Sequence, residues 1–145
     1  MDTKPTDVLA ILKLYEIRGE AEMRKARSWF FTEFAPQSGK DVVRLMLSGE
    51  RESAYYRMVA SHWEVAASFV NNGGIDEKLF QEGNTEHVVV FAKLQPFINE
   101  IRETIGEPDY LSNLERLVMR IPDIERKLEN RRRLLERWSQ SKAST

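Results

Sequence analysis

The side chains best suited to chemistry in this chain are two histidines, His62 and His87, and a polar stripe of Arg57, Ser61, Glu64, Ser68 and Asn71. His62 stands in the middle of an apolar arc, between Tyr55 and Phe69. An imidazole placed there loses water and needs a hydrogen-bond partner, and the plain reading is a neutral core histidine held by a carbonyl, a hydroxyl or a carboxylate. Both histidines project onto the core faces of helices that should pack together. If they met near Glu64, Glu86 or Asp76, neutral imidazole and carboxylate would suit zinc or iron. Against a metal site, no HxxxH, HExxH or ExxH spacing occurs and Glu64 projects off the His62 face, so no metal ligand and no cofactor is assigned. Arg57, Glu64, His62 and Tyr56 are candidates for a small-ligand site, because Arg57–Ser61 and Ser61–Glu64 are neighbour spacings on a helix. The competing reading is a stripe that faces water. No catalytic residue is assigned: there is no cysteine, and a Ser/His/Asp triad depends on geometry that spacing does not supply. Gly73-Gly74 lacks the strand–loop–helix setting of a phosphate loop.

These residues need a helix to hold them, and Ser53–Asn72 is that helix. At about 100° per residue, the polar stripe falls on one narrow arc. The rest of the circumference carries Tyr55, Tyr56, Met58, Val59, Ala60, Trp63, Val65, Ala66, Phe69 and Val70. An apolar arc this wide implies contacts with several neighbours. Around it the chain reads as a series of helices. Thr6-Asp7 opens a long one to about Phe34, in which Gly19 marks a close helix crossing. Ser38 or Gly39 caps a short helix from Lys40 to Leu47. Asp76 caps a single turn, Glu77–Gln81. Glu86–Ile105 bends at Pro96, a helix from Pro108-Asp109 reaches Arg120, and the last runs from Ile121-Pro-Asp123 to Trp138. The fold class is all-α: a compact bundle of about six helices around a central buried helix at about 50–72. Residues 1–145 form a single helical domain, with 139–145 a frayed tail.

A second stripe on the first helix, Ala10, Leu14, Ile17 and Ala21, has the 4-3-4 spacing of a helix–helix seam. Two readings stay open: burial on both sides within the monomer, or a homodimer contact. The net charge of −1 is unevenly spread. Residues 76–115 hold nine acidic and three basic side chains, and residues 116–145 hold nine basic and four acidic. The basic last helix invites a nucleic-acid reading. Glu125, Glu129 and Glu136 on an adjacent row, and a single aromatic, Trp138, argue against it. No apolar run is long enough to span a membrane, and the N-terminus lacks the basic start and cleavage site of a signal peptide. The expected location is the cytoplasm.

The segment Ser53-Ala-Tyr-Tyr-Arg-Met-Val-Ala-Ser-His-Trp-Glu, with Ala66-Ala-Ser-Phe-Val-Asn, resembles a group of small uncharacterised bacterial helical proteins classed as a domain of unknown function. Glu86-His87, Val90-Phe-Ala-Lys-Leu-Gln-Pro-Phe97, Glu100-Ile-Arg102 and Tyr110-Leu-Ser-Asn-Leu-Glu115 extend the likeness over about residues 8–120. The resemblance implies a bacterial source and an all-helical fold, and no activity, ligand or site residue. Two functions follow as expectations. The first is a non-enzymatic interaction or regulatory module, with a protein or a second copy as partner. The alternative is a small-molecule-binding protein or enzyme with a pocket beside the central helix. A filled core with exposed apolar stripes favours the first; a deep cavity with convergent polar groups favours the second.

Overall fold

The computed structural model describes residues 4–143, with side chains through Ser139, and all regular structure among them is helical. The expected long first helix is two helices, α1 (Pro5–Arg18) and α2 (Ala21–Thr32). Gly19 ends α1 and Glu20, at ψ 146°, turns the chain into an extended step before α2. A Cβ built on Gly19 would meet only its own preceding turn, Glu16 O at 3.3 Å and Tyr15 O at 3.9 Å. Gly19 is therefore a helix break and not a helix crossing. The start is corrected too: the helix begins at Pro5, and Asp7 reaches back to accept from Lys4 N at 2.7 Å. Asp7 also accepts from Asp76 N at 3.3 Å, tying the first turn of α1 to the body.

The next elements lie where their capping residues put them. Ser38 accepts from Asp41 N and opens α3 (Gly39–Leu47). α4 (Arg51–Asn71) closes on Asn72 and on Gly73, whose φ of +80° is readily adopted only by a residue without a side chain. Asp76 accepts from Leu79 N to open α5 (Glu77–Gly83), which drives Phe80 fully into the core. Pro96 breaks the following segment into α6 (Glu86–Leu94), a 3-10 turn over Gln95–Phe97, and α7 (Ile98–Ile105). α8 (Ser112–Met119) begins later than its sequence signal, after a turn in which Leu111 takes a left-handed φ of 57°. α9 begins at Ile124 and continues to Ala143, so residues 139–143 extend the helix; residues 144–145 of the expected tail lie outside the described ones.

α4 packs on α2, α3, α5, α6 and α8, while α6 packs on α4, α8 and α9. The buried side chains form one contiguous cluster around Phe30, Tyr56, Trp63, Phe80 and Phe91. α6 is the more completely enclosed of the two helices: every residue from His87 to Ala92 is buried. α4 instead leaves Val65 and Phe69 exposed. Lys93 joins α6 to α2 by donating to the carbonyl of Phe30, with its ammonium 5.3 Å and 5.2 Å from the ring centroids of Phe30 and Phe34. Burial pushes its pKa down to about 8.

Candidate functional site

The side chains singled out on α4 are sent to different partners. Tyr56 is buried, and its hydroxyl meets that of Tyr110 at 2.7 Å. Burial raises the Tyr56 pKa well above the ordinary phenol value. Arg57 is exposed and reaches only along its own helix, donating to Ser53 Oγ at 3.1 Å. Glu64 accepts from Leu114 N at 2.9 Å, Asn113 N at 3.3 Å and Asn113 Nδ2 at 3.0 Å. It thereby supplies α8 with the N-terminal acceptor that Leu111, at the cap position, lacks. Asn71 reinforces the joint by donating to the Asn113 carbonyl at 3.0 Å. α8 thus docks on the Glu64 and Asn71 end of the polar stripe, while Arg57 and Ser61 stay exposed and Ser61 lines the depression beside His62.

His62 follows a different course. It is only half-buried and lines an open, largely apolar depression of about 420 Å³ between α1, α2 and α4. Leu14 and Ile17 of the expected seam line it too, with Met23, Met58, Val65 and Phe69. Of the other two seam residues, Ala10 is half-buried outside this lining and Ala21 is exposed. The imidazole packs edge-on against the Trp63 indole, with centroids 4.7 Å apart, and its Nε2 is buried with no hydrogen-bond partner. Burial first, and the positive charge of Arg18 second, push the His62 pKa down to about 4, so the ring is neutral at pH 7.

Next to this depression lies a polar knot that no sequence motif announces. Glu86, in the first turn of α6, receives the Arg27 guanidinium as a fork: Nη2 to Oε1 at 2.7 Å, Nε to Oε1 at 2.9 Å and Nε to Oε2 at 3.1 Å. Trp63 Nε1 donates to Oε2 at 3.1 Å. Arg27 also donates to the carbonyl of Arg18 at 3.2 Å, satisfying the C-terminal end of α1. Arg18 lies 5.2 Å from the Trp63 ring centroid and donates to Asn84 Oδ1 at 3.3 Å. Its Nε is buried without a partner, and burial lowers its pKa below the ordinary guanidinium value. His87 also meets the indole, with ring centroids 5.5 Å apart, fully buried and bonded through Nε2 to Gln81 Oε1 at 2.8 Å. Burial pushes its pKa down to about 3. The two histidines therefore meet the same tryptophan. Among the described residues, no group of three or more His, Asp or Glu side chains is placed to hold a metal ion.

The Glu86 carboxylate accepts four hydrogen bonds, so it has little left with which to act as a base. The knot ties α1, α2, α4 and α6 together next to the depression. One signal for it did exist in the sequence: a tryptophan on a wide apolar arc needs an acceptor for its indole N–H.

A family model described as a domain of unknown function, DUF4760, matches residues 5–121, from the first residue of α1 to just beyond α8. The chain belongs to the DUF4760 family. No curated protein and no solved structure matches it. The match agrees with the likeness read from residues 8–120 and with its all-helical expectation. Both the depression and the knot lie within the DUF4760 span, and α9 lies beyond it. No helix among the described residues is long and apolar enough to cross a membrane.

Proposed function

We propose that this DUF4760 chain is a protein-interaction module that pairs with a second copy of itself through α1. The observation that carries the reading is the outer face of α1. Val8, Leu9, Leu12 and Tyr15 remain 45%, 65%, 57% and 70% exposed, and Val8, Leu12 and Tyr15 recur at the spacing of one helical face. Asp7 is the only buried residue on this helix. A folded chain rarely leaves four large apolar side chains adjacent and in water without a partner. The helix is also flanked on both sides by apolar relief. Leu14 and Ile17 slope into the depression beside His62, and Val8, Ile11 and Leu12 border a second hollow of about 250 Å³ with Leu79 and Gly83.

A ridge next to its own furrow is suited to a two-fold contact, because each copy offers what the other needs. The nearby charges support a self-pairing and not a charged partner. Lys13 and Glu16 form one ion pair and Lys78 and Glu82 another, so two copies would meet with both signs on each rim.

The test is sedimentation of untagged protein over a wide concentration range. A dimer is expected, and Leu12→Glu with Tyr15→Glu should give a monomer with unchanged helical circular dichroism, because both side chains are exposed. A native protein that stays monomeric at high concentration overturns the reading.

A further inference from the structure

On the opposite side of α5 and α6 from the Trp63 indole, α9 closes a cavity of about 400 Å³ that the α1 reading does not use. Four cations line it, Arg120, Arg126, Lys127 and Arg131, against one carboxylate, Glu77. Two of the four are engaged: Arg120 with Glu77 at 2.8 Å and Arg126 with Asp123. Lys127 and Arg131 make no ion pair or side-chain hydrogen bond among the described residues. They lie one turn apart on α9, where like charges repel.

Arg131 is the more telling of the two. The packing face of α9 runs Ile124, Leu128, Leu135, with all three buried. Its helical repeat places residue 131 on that same face, between Leu128 and Leu135. A half-buried arginine thus occupies a packing position with nothing to neutralise it.

The wall opposite adds to the positive character. Asn84 and Thr85, just ahead of the first turn of α6, line the cavity, and Thr85 makes no side-chain cap bond. Val88 N already donates to the Thr85 carbonyl at 3.1 Å, and only the N–H groups of Glu86 and His87 precede the first acceptor of this helix. The Glu86 carboxylate at the same end is taken up by Arg27 and Trp63. The Gln81 oxygen accepts from His87, which leaves the Gln81 amide nitrogen, also part of the lining, buried with no partner. Val88, Ile121 and Pro122 form an apolar side. Four cations against one carboxylate, with a spare amide donor on the same hollow, are mutually unfavourable unless an anion offsets them.

We infer that this cavity between α5, α6 and α9 is a binding site for a small phosphate-bearing anion, held mainly by Lys127 and Arg131.

The probes are pyrophosphate and ADP, titrated calorimetrically into the full chain at physiological ionic strength. Saturable binding is expected, with amide chemical-shift changes at Thr85 and Val88. Lys127→Gln should weaken it about tenfold, the scale of one charge-assisted contact. Arg131→Gln should do at least as much, and Arg133→Gln, whose side chain pairs with Glu129 on the exposed face, should change nothing. Absence of saturable binding by either probe overturns the assignment. So does binding that Lys127→Gln and Arg131→Gln leave intact, or displacement of the probes by a tighter-binding polyglutamate peptide, which would make this a protein-docking surface.

Discussion

His62 and His87 show how much a residue's type leaves open. Both read as core histidines in need of partners. His87 is one: it is fully buried and bonded to Gln81. His62 lies half-buried at the lip of a depression, because the face of α4 that carries it, with Val65 and Phe69, is only partly covered by α1 and α2. Their acid behaviour should nevertheless be alike. The folded-state pKa values, about 4 and about 3, lie below the ordinary 6.5. As pH falls through 6.5 the unfolded chain takes up protons that the folded chain refuses, so stability declines until the folded values are reached. Each histidine adds a slope of up to about 1.4 kcal/mol per pH unit. Urea midpoints should fall between pH 7 and pH 5, and His62→Gln should make that fall shallower. An unchanged pH dependence in the variant would mean that His62 is as solvated when folded as when unfolded. Glu86 was harder to foresee. Its partners Arg27 and Trp63 come from different helices, and no local spacing announces a contact that forms only when α2, α4 and α6 assemble.

Elements were legible where a cap or a breaker is written into the chain. Ser38, Asp76, Pro96 and the Asn-Gly pair at 72–73 each acted within a residue or two of their signal. Gly19 stands out in the sequence, but its role does not. A lone glycine in a continuous apolar pattern fits a crossing point as well as a break, and only Glu20's extended backbone decides between them. The close approach lies instead at Gly39, where a Cβ would come 2.6 Å from Glu100 Cβ and 2.9 Å from its Cγ. α3 packs on α7 there, and Glu100 accepts from Lys40 N at 3.0 Å. Because the obstacle is the root of the Glu100 side chain, it cannot swing clear. Gly39→Ala should cost about 1–3 kcal/mol in chemical denaturation, the usual scale of overpacking. Gly39→Ala combined with Glu100→Gly should recover most of the loss.

Across the whole molecule, the division between an acidic middle and a basic end acquired a location. The cations of residues 116–145 do not coat one face of α9. Some pair along the helix, as Arg133 does with Glu129; Arg132 turns inward to the Ala92 carbonyl; and Lys127 and Arg131 converge on the hollow against α6. The described residues form more helices than the apolar patterns imply, because Gly19 and Pro96 each divide one pattern into two rods. α1 is the piece that this division sets apart. It is pinned near its first turn by Asp7 and at its last by Arg18, with little buried between. Its amide protons should therefore exchange with deuterium through openings far less costly than global unfolding, while those of α4 and α6 wait for the whole chain to unfold. At higher protein concentration, protection of α1 should rise first, and that of α4 and α6 should follow only as association stabilises the whole fold. The helix would then act as a built-in gauge of association, its exchange rate reporting how many copies of the chain are close by.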